Sequence, residues 1–256
     1  MSLRTIQIGK LKERNVVFWI SLFLVLLAWF VVGEYALVDP IFLPSLPHFW
    51  ERTIYLFGEG AFLIDILYSV LRVVVAFFIS VLVAVPLSAL MSESRTLSNL
   101  IGPYVDFIRY LPVPALIPLT ILIFGIGEES KIALLFIGTF FQLILLLIDD
   151  FKQIPSSYLD LAFSLKYSPT KRLKMKLSAV LPQLYDNCRI TLGWCWTYLV
   201  IAELVASKAG IGHMIKEAQR FTNTADVFVG ILTMGVIGFA SDNLFKFLYP
   251  RFFKYL

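Results

Sequence analysis

Long apolar runs alternate with short polar stretches along this chain. Residues 16–32, 73–92, 112–127 and 132–148 carry no charge, 190–207 holds one acid, Glu203, and 227–241 completes the series. Crossing about 30 Å of hydrocarbon takes roughly 20 helical residues, so the pattern predicts six transmembrane helices. The runs are continuously apolar rather than alternating with period two, which selects helices over a barrel. The expected fold class is therefore all-α and integral to the membrane, with a membrane domain over 16–256. The third run is short and contains Pro112, Pro114 and Pro118, which interrupt helical hydrogen bonding. Such breaks are tolerated where backbone lines a cavity, so this run is the expected gate-bearing element.

Composition sharpens the class. The hydrophobic fraction is 59% and the charged fraction 16%, against about 25% charged in a soluble domain. A soluble enzyme, a nucleic-acid-binding domain and a disordered chain are excluded. The only histidines are His48 and His213, and the only cysteines are Cys188 and Cys195, so no metal site or disulfide framework is expected. No G-x-x-x-x-G-K-[ST] sequence is present, so the chain itself cannot cradle nucleotide phosphates.

The basic residues set the expected orientation. One side collects Arg4, Lys10, Lys12 and Arg14, then Arg95 and Arg109, then Lys152, Lys166, Lys171, Arg172, Lys174, Lys176 and Arg189, and finally Lys246, Arg251 and Lys254. The other side holds Arg52, Lys131, Lys208, Lys216 and Arg220, with Arg72 at the edge of the second helix. Both termini are expected in the cytoplasm. The first run is too long for a signal-peptide core and reads as a retained helix. Leu3, Ile6 and Leu11 among basic residues suit a cytoplasmic amphipathic segment over 1–15, with an unstructured tail as the alternative.

The segment 149–189 is far longer than a turn between antiparallel helices, which points to a function. Tyr158, Leu159, Ala162, Phe163 and Leu165 recur at helical spacing. Ser168-Pro169 reads as an N-cap followed by proline at the first helical position. Two short cytoplasmic helices joined at 166–168 are expected, and a basic loop binding anionic lipid is the alternative.

The stretch Asp160-Leu-Ala-Phe-Ser-Leu-Lys-Tyr-Ser168 resembles the E-A-A-R-x-L-G-A-S loop of ABC importer permeases. It departs at Asp160 for Glu, Leu161 for Ala and Lys166 for Gly. Leu43-Pro-Ser45, Ser69-Val-Leu-Arg-Val73, Arg109 through Pro118, Phe124-Gly-Ile-Gly-Glu128 and Ala202-Glu-Leu-Val-Ala206 extend the likeness. Gly210-Ile-Gly212 and Ala218-Gln-Arg-Phe221 continue it. Together they are similar to the nitrate/sulfonate/taurine/bicarbonate branch of the binding-protein-dependent transport system inner membrane components. The resemblance implies the type I ABC importer permease fold in a bacterial inner membrane, and a homodimer of permeases. It also implies cytoplasmic ABC ATPase subunits that hold ATP and Mg, and an external substrate-binding protein. Tyr158, Leu159, Asp160, Ala162, Phe163, Leu165, Lys166 and Ser168 would form the ATPase-coupling segment. The chain itself would bind no cofactor or nucleic acid and would not be an enzyme. Nitrate or bicarbonate leads as cargo, with taurine, other sulfonates or vitamin precursors behind.

Polar residues inside the apolar runs are the candidates for the path. Arg72 and Glu203 fall at similar depth in the expected outer half; they either pair, as a structural bridge, or line an outer vestibule. Gln142, Trp194, Trp196 and Thr197 offer hydrogen bonds to a passing oxyanion. Asp242 is expected to meet Arg109 or Arg189. Gly193, Gly230, Gly235 and Gly238 are expected to let helices approach closely. An autonomous channel or secondary carrier is the competing reading, and no clustered acid, base or nucleophile suggests a membrane enzyme.

Overall fold

A computed structural model describes the backbone over 3–253 and side chains over 16–205 and 207–253. Ten α-helices and one 3-10 turn make up the described residues, with no strand among them. In order they are α1 Leu3–Glu34, α2 Leu46–Gly58, α3 Ala61–Glu93, α4 Arg95–Ile108, the 3-10 turn Val113–Leu116 and α5 Ile117–Phe124. Then follow α6 Glu128–Lys152, α7 Ser156–Ser164, α8 Pro169–Ala206, α9 Ile211–Arg220 and α10 Thr224–Phe252. The amphipathic character expected over 1–15 rests on side chains outside the described residues; the backbone from Leu3 onward belongs to α1 itself.

Among the described residues, five helices are long and apolar enough to cross a membrane. The expected third span is instead a broken pair: α4 and the segment Val113–Phe124 meet at 98°, and the count reaches six only if that pair is one span. Proline accompanies the break: Pro112, Pro114 and Pro118 carry no N–H donor, and Pro112 itself is extended at φ −67° and ψ 113°, outside helical geometry. A second correction concerns the expected pair of short helices in the long segment. Only α7 is short; the residues after Ser168 open a single helix of 38 residues that runs on to Ala206.

The chain divides into two compact units, Met1–Gly60 with Lys216–Val229, and Ala61–Ile215 with Gly230–Leu256. In the first, the Trp29 indole N–H donates to the Pro44 carbonyl at 2.9 Å, and its ring packs against Phe49 and Phe228 at 5.4 Å. A Cβ on Gly33 would lie 3.1 Å from the Ser45 Cα, so glycine is what lets these two stretches touch. Arg52 grips Asp226 through two bonds of 2.7 and 2.8 Å, and this carboxylate holds the guanidinium above its ordinary pKa. Asn223 caps α10: its Oδ1 accepts from the Asp226 N–H, and its side-chain amide donates to the Asp226 carboxylate.

The second unit is built on α3, α6 and α8. The buried stripe of α3 runs Ser69, Val73, Ala76, Ser80, Ala84 and Ser88, small residues that let partner helices come close. The hydroxyls of Ser80 and Ser88 bond within their own helix, so they bring no unmet polarity into the core. Against this stripe stand Leu143, Ile144 and Leu147 of α6. Gly138 admits Tyr198 of α8; a Cβ there would fall 2.6 Å from the ring.

Candidate functional site

Two features of the second unit bear on function, a projecting short helix and a buried polar node. The short helix is α7. Pro155 starts it, and its end is a Schellman motif: the Tyr167 N–H bonds the Ala162 carbonyl and the Lys166 N–H bonds the Phe163 carbonyl, both at 2.9 Å. The motif requires a left-handed residue after the C-cap, and Lys166 supplies it at φ 51°. This is the position where the related loop pattern carries glycine, which adopts the left-handed conformation without the penalty that lysine pays. Ser168 then caps α8, accepting from the Lys171 N–H.

Of the predicted coupling residues, Ala162 is buried and Leu159 half-buried, and they seat α7. Tyr158, Asp160, Phe163, Leu165, Lys166 and Ser168 are exposed. Tyr158 and Phe163, with Leu161 and the C-cap Leu165, present an apolar surface on and just after a helix too short to span a membrane. Sequence reasoning missed what ties this region to α3. Glu93 closes α3, and its carboxylate receives the Arg172 Nε at 2.9 Å and lies 2.6 Å from the Lys176 ammonium. Lys176 also donates to the Ser92 carbonyl. The Arg172 guanidinium stands 5.8 Å from the Phe163 ring centroid, so α7, α8 and α3 share one polar junction.

The buried node lies at the other end of α8. Arg72 of α3 donates to Glu203 of α8 at 2.5 Å, to both oxygens of Glu128 at the start of α6 at 2.5 and 2.8 Å, and to the Ala209 carbonyl at 2.7 Å. Lys131 adds a bond to Glu128. Glu203 is 0% exposed and Arg72 2%, and both oxygens of the Glu203 carboxylate accept hydrogen bonds. Ser69 donates to it at 2.8 Å, and the Gly212 N–H, in the first turn of α9, donates to it at 2.8 Å. A carboxylate at a helix N-terminus meets both unpaired N–H groups and the positive end of the helix dipole. Gly210, at φ 118°, bonds Asp65 through its N–H at 2.6 Å.

Two glycines make this node possible. A Cβ on Gly210 would collide with the Glu203 carboxylate and lie 2.5 Å from Arg72 Nη1; one on Gly212 would lie 2.6 Å from the Glu203 Cβ. The structure therefore brings Arg72 and Glu203 together as a pair. Their burial excludes the other expectation, that they line an open vestibule. Glu128, Lys131, Ser69 and Asp65 complete the node without having stood out individually in the sequence.

The remaining path candidates separate. Trp194 and Thr197 are exposed on α8, Gln142 is half-buried on α6, and Trp196 is buried facing Gly238 of α10. Asp242 pairs with Arg189 at 2.9 Å, while the Arg109 guanidinium turns to the Tyr110 hydroxyl.

Residues 76–254 match the family described as binding-protein-dependent transport system inner membrane component. The taurine transport system permease protein TauC of Escherichia coli strain K12 is 32% identical over 225 residues, which cover 86% of this chain and 82% of that protein. A putative aliphatic sulfonates transport permease protein, SsuC of Bacillus subtilis strain 168, is 28% identical over 89% of this chain and 83% of its own. The bicarbonate transport system permease protein CmpB of Synechococcus elongatus is 27% identical over 70% and 66%. Among solved structures, the inward-facing MetNI methionine ABC transporter superposes with a TM-score of 0.61 at 18% identity, covering 79% of this chain and 98% of that one. At that identity the likeness speaks for the fold, a type I ABC importer permease.

Proposed function

Because the chain belongs to the binding-protein-dependent transport system inner membrane components, we propose that it is the path-forming subunit of an ATP-driven importer for a small oxyanion, working as a homodimer. It is a multi-pass inner-membrane permease of the taurine, sulfonate and bicarbonate group, and permeases of this kind act with ATPase and binding-protein subunits. In this reading α7 faces the cytoplasm with both termini and docks on the ATPase. The 1–15 segment lies on the same side, and 149–189 is its coupling region within the 16–256 domain. ATP and Mg belong to the partner. Nucleotide binding there favours one of two arrangements of the helices, and the contact at α7 transmits the difference in free energy.

The observation that carries this reading is the exposed face of Tyr158, Leu161, Phe163 and Leu165 on a short helix held to α3 and α8. An aromatic and aliphatic patch of this kind is the usual core of a protein interface. For the cargo, the identity and coverage of the taurine relative favour a sulfonate over bicarbonate, and bicarbonate over nitrate. Vitamin precursors fall behind all three.

Detergent extraction tests the assignment. The native complex should retain an ATPase, and replacing Phe163 and Leu165 by Asp should release it while leaving the permease folded. Transport of taurine by the chain reconstituted alone would instead make it an autonomous carrier and overturn the proposal.

A further inference from the structure

α2 has 13 residues, Leu46–Gly58, about 20 Å of helix and too short to cross a bilayer. Its side chains sort onto three faces rather than two. Phe49, Thr53 and Leu56 recur at helical spacing and turn inward, Phe49 buried and the other two half-buried. The Phe49 ring packs on Trp29 of α1, and the Thr53 hydroxyl is spent on the Phe49 carbonyl. His48, Glu51 and Tyr55 form a polar edge, with the imidazole 3.5 Å from the Glu51 carboxylate. The third face is apolar and turned away from the protein: Trp50 is 60% exposed, Ile54 71% and Phe57 41%. These positions repeat at four and three residues, one stripe of a helix.

What covers that stripe follows from α1. Its apolar span runs from Val16 to Glu34, and no part of the apolar window is buried within the protein. A span of this kind is surrounded by acyl chains. Trp29 lies five residues before Glu34, roughly 7.5 Å inside the end of the span. Because Phe49 packs on Trp29, α2 sits at that depth, against a helix that meets lipid on its flank. Tryptophan belongs at this boundary, since its ring is apolar and its N–H seeks a polar partner.

Charge narrows the attraction. The exposed charges of α2 and its C-cap are Glu51 and Glu59, while Arg52 is held by Asp226. Basic residues draw a surface helix to anionic headgroups, and this helix offers no unpaired one. Seating therefore rests on apolar contact.

We infer that α2 is an interfacial helix, lying along the headgroup boundary beside α1, with Trp50 and Ile54 inserted among acyl chains and no requirement for anionic lipid. By the orientation proposed above, the leaflet is the outer one. Through the Arg52–Asp226 pair, the helix fixes the first turn of α10 at the membrane surface. The inference goes beyond the proposed function, since it needs the bilayer but neither the cargo nor the ATPase.

Spin labels on Glu51→Cys and Ile54→Cys of the full chain test it. Cys188 and Cys195 are buried, which leaves the introduced thiol as the accessible one. In phosphatidylcholine nanodiscs, the label at 54 should collide freely with dissolved oxygen and be shielded from an aqueous nickel chelate. The label at 51 should show the reverse order, and adding phosphatidylglycerol should change neither. Equal nickel collision at both positions puts the stripe in water and overturns the inference. An immobilised label at 54, shielded from both reagents, also overturns it, because a second copy of the chain would then cover the stripe. Shielding at 54 only when phosphatidylglycerol is present overturns the claim that apolar contact suffices. Without any label, brominated acyl chains should quench a smaller share of the tryptophan emission in Trp50→Phe than in the unsubstituted chain. An unchanged share counts against insertion.

Discussion

The Glu93 carboxylate at the end of α3 lies 2.6 Å from the Lys176 ammonium on α8. Arg172 of the same helix occupies its other oxygen, and Arg172 also stands beside the Phe163 ring of α7. The short helix thus reaches α3 through a carboxylate with two cations as well as through the chain. Replacing Glu93 by Gln leaves those cations half-buried without their counter-charge. Stability should fall by about 1–3 kcal/mol, read as a lower thermal midpoint in detergent. In the proposed transporter, ATP hydrolysed per taurine imported should also rise, a change that lost stability alone would not produce. Glu93→Asp should restore part of both.

Arg72 and Glu203 are not equivalent partners. Removing the acid as Glu203→Gln leaves Arg72 with both oxygens of Glu128. Removing the base as Arg72→Gln leaves two carboxylates near one another, one of them fully buried. Breaking a buried pair costs about 3–5 kcal/mol when a charge is left uncompensated. Arg72→Gln should therefore be the more damaging change, by about 2 kcal/mol, measured by unfolding of the purified chain. Equal losses would mean that Glu128 contributes nothing to the node.

Glycine substitutions should split by site. Gly210→Ala places a Cβ against Glu203 and Arg72 in a backbone region that L side chains rarely adopt, and should cost about 2 kcal/mol or more. Gly193→Ala meets open space and should gain up to about 1 kcal/mol. Thermal midpoints of the two variants check the contrast.

Lys166→Gly should stabilise the α7 end by about 1 kcal/mol, since glycine adopts the left-handed conformation without penalty. Lys166→Val should do the reverse. Slower and faster amide exchange of Lys166 and Tyr167, the residues whose N–H groups close the turn, is the measurement.

The membrane class and most of the spans were legible because apolar run length is a direct consequence of bilayer thickness. The helix ends were not. α3 begins at Ala61, well before the apolar run at 73, and its two early charged residues find partners far along the chain, Asp65 in the Gly210 N–H and Arg72 in the Glu203 carboxylate. Hydropathy counts a charge but cannot see what pairs with it. The broken third span was visible in its prolines, whereas the 98° angle between its two halves was not. In the α7 region, Lys166 stood out only as a departure from a pattern; its backbone angle gave the reason. Glu93 carried no signal at all, since an acid at a helix end looks like any other.

α8 is a single rod from Pro169 to Ala206, with Arg172 near one end and Glu203 near the other. At 1.5 Å per residue those two positions are about 46 Å apart. A tilt of about 5° pivoting at one end would swing the far end by roughly 4 Å over that length. Pro182, within the rod, is where bending would waste the stroke. In the proposed transporter, one continuous helix of this length would serve as a lever, with a throw set by its length rather than by any residue at either end.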